Sequence, residues 1–402
     1  MAITAVRSFN QAVTETVQRR YFVGEQDVLV DPDLTPLFAL TTNVGNRRKP
    51  ANSPRVEWVE DDYLSVWGAI SNGTTDYSSV ATNIVVSDGT LFAVGDLVAV
   101  PKSDSSSAVE EVIRVTAVSS NTLTVTRNIG GAGADTIGAT QGLRILAPAQ
   151  AENAGFPSIR STSKVVKISY TQIFRRPVKI SRTMSQSAQF GSADERRFQQ
   201  RKALQEHKRD IEQAGLWSRA SESLASPNSI RTTMGLKSQL STNVTNGNTT
   251  LTESSFLSFS ESAFKSYAGP RKVLLAAPKI ISAMDFFAGG KPRTQIGETV
   301  FGVSIKRYMS SHGEFLLARN RLLDDEPGAA GLGYGDEAYA IDPESCFFAP
   351  LAGNGESSDT QLLENVIRDG TDGYSDEWLT EGAWGFRHEK RHARLYNVTA
   401  YA

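Results

Sequence analysis

The chain has 402 residues, of which 40% are hydrophobic and 21% charged, and its formal net charge is −2. This length can bury a sizeable core or divide into two or three domains, and the near-neutral balance argues against a basic field over the whole surface. The single cysteine, Cys346, excludes an intrachain disulfide, and the chain lacks both a signal-peptide core and an apolar run of about 18 residues, so no membrane contact is expected.

Residues 1–50 are predicted to form an extended arm. Their apolar residues are scattered, and two prolines within 31–36 disfavour helix there. Residues 37–40 offer one small apolar anchor. The adjacent cations Arg47, Arg48 and Lys49 are interpreted as a solvated turn, with an acidic partner surface or nucleic acid as the alternative. An arm with so little apolar content must gain order from neighbouring chains.

A predicted hairpin carries a separate module at its tip. Residues 56–60 alternate as in a strand, and residues 164–182 are again typical of strands. Between them the composition shifts to Ser, Thr, Val and Gly, which predicts a small barrel or sandwich at 77–150, inserted in the hairpin 51–76 and 151–186. Its strands are predicted at 83–87, 96–101, 110–118, 121–127 and 142–147.

One long polar helix is predicted from Ser192 to about Glu222. Good helix formers fill this stretch, and no Gly or Pro lies between Ala193 and Ala214. Ser192 is the expected N-cap, with Glu195 at capping-box spacing. Because the apolar stripe is narrow, the charged flanks of the helix are expected to meet water or neighbouring subunits. The large apolar residues of the stripe are Phe198, Leu204, Ile211 and Trp217.

The rest of the chain mixes helices and strands without a βαβ repeat, which predicts an α+β fold. Residues 243–250 are interpreted as a polar linker. Thr252 is the expected N-cap of a helix that reaches Tyr267, with Ser255 as its capping partner, and Pro278 begins another helix. The stripe of the first helix is Phe256, Phe259, Ala263 and Phe264. Strands are predicted at 272–276, 299–307, 314–318, 337–341, 346–350, 361–366 and 393–401.

The most conspicuous local motif is His388-Glu389-x-x-His392, which matches the zinc-peptidase pattern H-E-x-x-H. In such a site both histidines bind zinc from one helical face and the glutamate activates water. Here Gly382 and Gly385 precede the motif, the flanks are typical of strands, and no His, Asp or Glu follows as a third ligand. The segment is therefore interpreted as a solvated basic strand. No catalytic, cofactor-binding or metal-binding residue is predicted, and the chain is not expected to be an enzyme.

The order of these parts resembles a known family. The arm with DPDLTPLFAL, the strand VEWVEDDYL and the returning strand YTQIFRRPVKISRT precede the long helix, and GLKSQLSTN, LTESSFLSF and PRKVLLAAPKIISAMDFF follow it. This combination resembles the major capsid proteins of tailed bacteriophages, which have the Hong Kong 97 fold. The resemblance implies an N-terminal arm at 1–50, an extended loop at 51–76 and 151–186, a peripheral domain with its spine helix at 187–250, an axial domain at 251–385 and a returning strand at 386–402.

The resemblance also implies the function. Such a protein self-assembles into an icosahedral shell of hexamers and pentamers around double-stranded DNA, in the host bacterial cytoplasm, and ends in the virion capsid. Expected partners are other copies of the chain, scaffold, portal and decoration proteins, and packaged DNA contacted non-specifically on the inner surface. Because the arm starts almost at Met1, a scaffold would be a separate protein. The alternatives are a phage decoration or tail protein that binds a surface through the module and, third, a zinc metallopeptidase using His388, Glu389 and His392.

Overall fold

The chain divides into two compact units in the computed structural model, one formed by residues 59–166 and the other by the remaining residues. Most of the predicted arm, including Arg47 and Arg48, lies outside the described residues. The structure describes residues 35–43, 49–101, 110–131, 133–152, 155–156, 158–187, 194–223, 228–265, 269–287, 294–295, 299–300, 303–304, 306–324, 334–353, 356–366 and 372–402.

The helices and strands of the described residues have the following bounds. The helices are α1 (Pro36–Asn43), α2 (Arg182–Gln186), α3 (Glu195–Trp217), α4 (Leu236–Gln239), α5 (Glu253–Lys265) and α6 (Pro278–Phe287). The first strands are β1 (Arg55–Glu60), β2 (Trp67–Ala69), β3 (Asn83–Val85), β4 (Asp96–Val100), β5 (Glu111–Ser119), β6 (Thr122–Thr126), β7 (Gly142–Pro148), β8 (Val165–Tyr170) and β9 (Gln172–Ser181). After α3 come β10 (Ser221–Ser223), β11 (Ile230–Thr232), β12 (Val244–Leu251), β13 (Arg271–Ala276), β14 (Thr294–Gln295), β15 (Thr299–Val300), β16 (Val303–Ser304) and β17 (Lys306–Met309). The last are β18 (Glu314–Arg319), β19 (Ala338–Ile341), β20 (Cys346–Pro350), β21 (Ala352–Gly353), β22 (Glu356–Ser357), β23 (Gln361–Leu363), β24 (Gly373–Phe386) and β25 (Ala393–Tyr401).

Residues 59–166 fold as a small barrel around their own core. The six-stranded sheet has the order β2-β7-β4-β5-β6-β3. A bridge between Ile70 and Val86 joins β2 to β3 and closes the ring. The closed sheet confirms the predicted small β-module and shows that it is a barrel. Its strands alternate between a buried and an exposed face, as barrel strands do. The barrel is filled by Ile70, Ile84, Val86, Phe92, Val98, Val100, Ile113, Val115, Leu123, Val125, Ile137 and Leu143.

The predicted module limits of 77–150 are too narrow. Strand β2 and Ile70 also belong to the barrel. The sequence did not show this, because the short alternating run around them has the same pattern as a hairpin strand. On the other side, Arg160 donates from its two terminal nitrogens to the wholly buried carboxylate of Asp96, at 2.7 and 3.2 Å. This charge-assisted pair fixes the returning segment to the barrel.

The larger unit contains two main sheets. A seven-stranded mixed sheet has the order β12-β25-β19-β13-β18-β17-β14, and only the β12–β25 and β13–β18 pairs are parallel. Helix α5 begins at the predicted cap, where the N–H of Ser255 donates to the hydroxyl of Thr252 at 3.3 Å, and it buries Phe256 and Phe259. The second sheet has the order β20-β24-β23, with β9 also paired to β24.

One predicted segment of this unit differs from the structure, and one long strand was missed. Residues 243–250 are not a linker, because β12 is the edge strand of the seven-stranded sheet, where polar side chains can face water. The strand β24 was not predicted at all, although it is 14 residues long. Its residues are buried on both faces over much of their length, so they do not alternate.

Candidate functional site

Helix α3 is confirmed, but its N-cap differs from the prediction. The carboxylate of Asp194 accepts the N–H of Arg197 at 3.2 Å, which caps the helix. The carboxylate of Glu195, the expected partner of Ser192, instead accepts from the side-chain amide of Gln199 at 2.6 Å. Ser192 itself lies outside the described residues.

The buried face of α3 includes Ile211, Ala203 and Ala214 of the predicted stripe, but it also carries polar residues that the prediction did not place there. Gln200, Ala203, His207 and Ile211 follow one another at helical spacing and are all buried. They lie over β9 and β24, the strands with which α3 makes its sheet contacts. The expected stripe residues Phe198 and Leu204 are instead only partly buried. A search for apolar residues at helical spacing therefore misses Gln200 and His207. A search that allowed polar residues at that spacing would have found the buried face.

Asp376 on β24 anchors the first half of α3. Its carboxylate accepts two hydrogen bonds from the Arg196 guanidinium, at 2.7 and 2.6 Å, and one from the Gln200 side chain at 2.8 Å. The backbone N–H of Asn365 adds a fourth at 3.0 Å. Burial alone would raise the pKa of Asp376, but these donors outweigh it and hold the pKa below its usual value. The carboxylate therefore stays ionised and holds the helix on the sheet.

His207 anchors the next turn of the helix. Its Nε2 lies 2.7 Å from the hydroxyl of Thr380, which itself donates to Thr360 at 3.1 Å. Since the Thr380 hydroxyl donates to Thr360, Nε2 of His207 carries a proton and donates to Thr380. Burial, together with the charge of Arg176, lowers the pKa of His207 to about 4.

Trp384 is the centre of the contact between the last turns of α3 and the sheet. Its wholly buried ring lies edge-on to Phe348, with centroids 5.2 Å apart, and its Nε1 donates to the carbonyl of Ile211 at 3.0 Å. Gly215 gives the ring its space, because a Cβ there would lie 2.7 Å from Trp384 Cε2. Neither residue was singled out from the sequence.

A buried carboxylate joins α1 to α3. Glu212 is wholly buried, and its oxygens accept the backbone N–H groups of Leu37 and Phe38 at 2.9 and 2.7 Å. The side chain of Asn320 donates to it at 3.0 Å. These N–H groups belong to the first turn of α1, which favours negative charge, yet burial raises the pKa of Glu212 to about 8. The predicted apolar anchor at 37–40 is confirmed, since Leu37 and Phe38 are buried in the core.

The predicted solvated basic strand at 388–392 is wrong. His388 adopts a left-handed conformation with φ 53°, residues Glu389–Arg391 form a short 3-10 turn, and His392 is wholly buried. Nδ1 of His392 accepts the N–H of Asp342 at 3.2 Å. Burial, with the nearby charge of Lys272, lowers the pKa of His392 to about 3. The two histidines therefore do not share the helical face that a zinc peptidase requires.

Replacing the two histidines separately is expected to give unequal results. His392→Ala should lower the free energy of unfolding by about 2–4 kcal/mol, because it leaves a cavity and the N–H of Asp342 without its acceptor. His388→Ala should cost less than about 1 kcal/mol, since its ring is partly exposed. Urea unfolding measures both, and elemental analysis should find the same zinc content in wild type and variants. Stoichiometric zinc that either substitution removes would contradict this interpretation.

The described residues show no other arrangement of catalytic type. Among them, no group of three or more His, Cys, Asp or Glu side chains is placed to hold a metal ion. Cys346 is buried in β20. No helix in the described part of the chain is long and apolar enough to cross a membrane. The buried ionisable groups described above tie α1 to α3 through Glu212, and α3 to β24 through Asp376 and His207.

A sequence model of the SU10 major capsid protein family matches residues 13–399. The chain belongs to this family, and it is a major capsid protein of a tailed bacteriophage. The resemblance drawn from the order of its parts is confirmed, as is a place in the virion capsid. The family match supports the capsid function over the decoration and tail alternatives.

Solved structures from two phages and from a GTA particle are similar to this chain at low identity. For a structure of Gordonia phage Cozz the identity is 10% and the TM-score 0.47, with 100% of this chain and 97% of that chain covered. For Mycobacterium phage Ogopogo the identity is 11% and the TM-score 0.46, with 99% and 100% covered. For the capsid of a native GTA particle the identity is 8% and the TM-score 0.49, with 97% and 100% covered. Comparison with curated protein sequences found no match.

Proposed function

We propose that this capsid subunit makes many of its contacts with neighbouring subunits through the β1–β8 hairpin and the segments that connect it to the barrel. Large apolar side chains are exposed there, which is the observation that carries the proposal. Phe156 and Ile159 are fully exposed, and Tyr63, Val165 and Val166 are at least half exposed. A two-stranded sheet is marginal in water by itself. Apolar groups placed on it are best explained by a neighbouring subunit that covers them.

The parts of the chain divide as follows in this proposal. Residues 1–50 form the arm, 51–76 and 151–186 the extended loop, 187–250 the peripheral part, 251–385 most of the axial part and 386–402 the returning strand. The barrel is the inserted module. Because β24 pairs with β9 along ten residues, from Gly373 to Gly382, we assign it to the peripheral part. The seven-stranded sheet with α5 and α6 supports a separate axial part.

Assembly in this proposal is non-covalent and needs no reaction catalysed by the chain. Subunits made in the host cytoplasm associate into hexamers and pentamers. Because the shell is symmetric, each weak contact between subunits is repeated many times over the closed shell. A separate scaffold, a portal and decoration proteins are the partners that a shell of this kind would use. The packaged double-stranded DNA is contacted on the inside without sequence preference.

Two pairs of serine substitutions test the role of the exposed apolar residues. Phe156→Ser with Ile159→Ser should weaken the shell by about 1.5–3 kcal/mol for each side chain that assembly buries. Phe286→Ser with Ile230→Ser is the matched control, since it also removes one exposed Phe and one exposed Ile but on the larger unit, outside the hairpin. Shells are examined by negative-stain microscopy, and their disassembly is followed by sedimentation at increasing guanidinium concentration.

Equal disassembly midpoints for the two pairs would contradict the proposed contact. The proposal as a whole predicts rings or shells when the wild type is expressed alone or with a scaffold from its operon. A stable monomer at high concentration under both conditions would contradict it.

A further inference from the structure

One face of α3 collects cations in two rows, which are exposed in the first half of the helix and partly buried at Lys208 and Arg209. With about 100° between successive residues, Arg197, Arg201 and Lys208 fall within a narrow arc, and Lys202 and Arg209 form a second row beside it. This face lies opposite the buried Gln200, Ala203 and His207. The rows extend over about 18 Å at 1.5 Å per residue. The net charge of the whole chain is only −2, so this cluster of cations on α3 cannot be recognised from the overall composition.

Two acidic residues of α3 border the second row of cations: Glu206 stands four residues after Lys202, and Glu195 lies on the same side in the first turn, where it accepts from Gln199. Glu206 and Asp210 lie on the flank towards β9, where they pair with Arg176 at 3.4 and 3.2 Å. Glu212 is buried against α1. Asp194 pairs with Arg197 at 3.3 Å, at the end of the face. The other four cations, Arg201, Lys202, Lys208 and Arg209, have no ion pair among the described residues.

We propose that this cationic face of α3 binds the phosphate backbone of the packaged double-stranded DNA. The proposal rests on the proposed function, in which DNA is contacted inside the shell, and it names the residues that make the contact. Double-stranded DNA carries one negative charge per about 1.7 Å, so about ten phosphate charges lie along the length of the two rows. Arginine, lysine and glutamine are side chains that contact phosphates without reading sequence.

The composition of the face favours DNA over a second protein. Protein interfaces have a core depleted in charged residues and enriched in aromatic ones. Here cations dominate, Gln205 lies between the rows, and Phe198 is the one aromatic residue on this side of α3, only partly buried. An acidic scaffold protein remains the rival occupant, and the test distinguishes it from DNA.

The test measures the affinity of the unassembled full-length subunit for a random-sequence DNA duplex at several salt concentrations. Each phosphate contact contributes about −0.9 to the slope of log K against log salt, so five contacts give a slope near −4.5. The variant R201Q/K202Q/K208Q/R209Q should leave a slope near −1. The control R144Q/R219Q/K265Q/R387Q changes the net charge equally, and its four residues are exposed and also have no ion pair among the described residues. It should keep the wild-type slope.

Each other outcome counts against the proposal. An equal loss in the control would show that only total charge matters. A wild type that binds an acidic scaffold through this face, but not DNA, would assign the face to protein. Both variants should still form empty shells, and a failure confined to the α3 variant would make the face a contact between subunits. If the quadruple variant does not fold, R201Q/K202Q alone should remove about half of the slope.

Discussion

Replacing Trp384 with alanine is expected to lower the free energy of unfolding of the larger unit by about 3–5 kcal/mol. The ring is wholly buried, stacks on Phe386 with centroids 6.0 Å apart, and meets Phe38 of α1 at 6.4 Å. Its loss would leave a cavity where three elements meet. Urea unfolding of the unassembled subunit measures the change, with Trp67→Ala as the control. Trp67 is 47% exposed, so its loss should cost less than about 1 kcal/mol.

Gly215 provides a sharper form of the same test. Alanine normally favours a helix over glycine by up to about 1 kcal/mol. In the wild type, however, the added methyl group would collide with the ring of Trp384, so Gly215→Ala should destabilise the subunit. In the Trp384→Ala background the collision is absent, and the same substitution should stabilise it. Additive effects in the double variant would contradict the contact.

The parts that the sequence predicts well are those that local chemistry determines. The barrel strands β4 to β7 occur within about two residues of their predicted positions, because alternation and turn residues are local signals. Helix α3 follows from propensity, and α5 from Thr252 and its phenylalanine stripe.

The parts that the sequence does not predict depend on distant partners. Gln200 and His207 can be buried because Asp376 and Thr380, more than 170 residues away, satisfy their polar atoms. Glu212 looks like one more surface charge until α1 places two N–H groups against it. In β24, Gly382 and Gly385 resemble strand breakers, but they make room for the rings of Phe348 and Phe347.

The stability of the subunit should depend on pH between 5 and 6 through three buried groups. His207 and His392 have folded-state pKa values of about 4 and about 3, so they stay neutral there, whereas in the unfolded chain, with a pKa near 6.5, they take up protons. Their contribution to stability is therefore lost as the pH falls below 6.5. Glu212 acts in the opposite sense, because its folded pKa is about 8 and its ordinary value 4.5. Its contribution is lost as the pH rises from 4.5 to 8.

Near pH 5.5, unfolding should thus take up about two protons at the histidines and release about one from Glu212. A net uptake of one proton lowers the free energy of unfolding by about 1.4 kcal/mol for each unit of falling pH. Carboxylates with depressed pKa values, such as Asp376, add their loss only at lower pH. Lys272, whose pKa burial lowers to about 8, is protonated in both states in this window and adds nothing.

Three variants separate these contributions, and urea unfolding at pH 5.0, 5.5 and 6.0 measures each slope. His392→Gln or His207→Gln removes the uptake of one proton on unfolding, so the free energy of unfolding should become nearly independent of pH. Glu212→Gln removes the release and should double the slope to about 2.7 kcal/mol per pH unit. Each variant also lowers stability at every pH, but only the slope reports the proton. A slope that stayed near 1.4 kcal/mol in all three would place the pH response in other groups, and one already near 2.7 in the wild type would mean that Glu212 is ionised against α1.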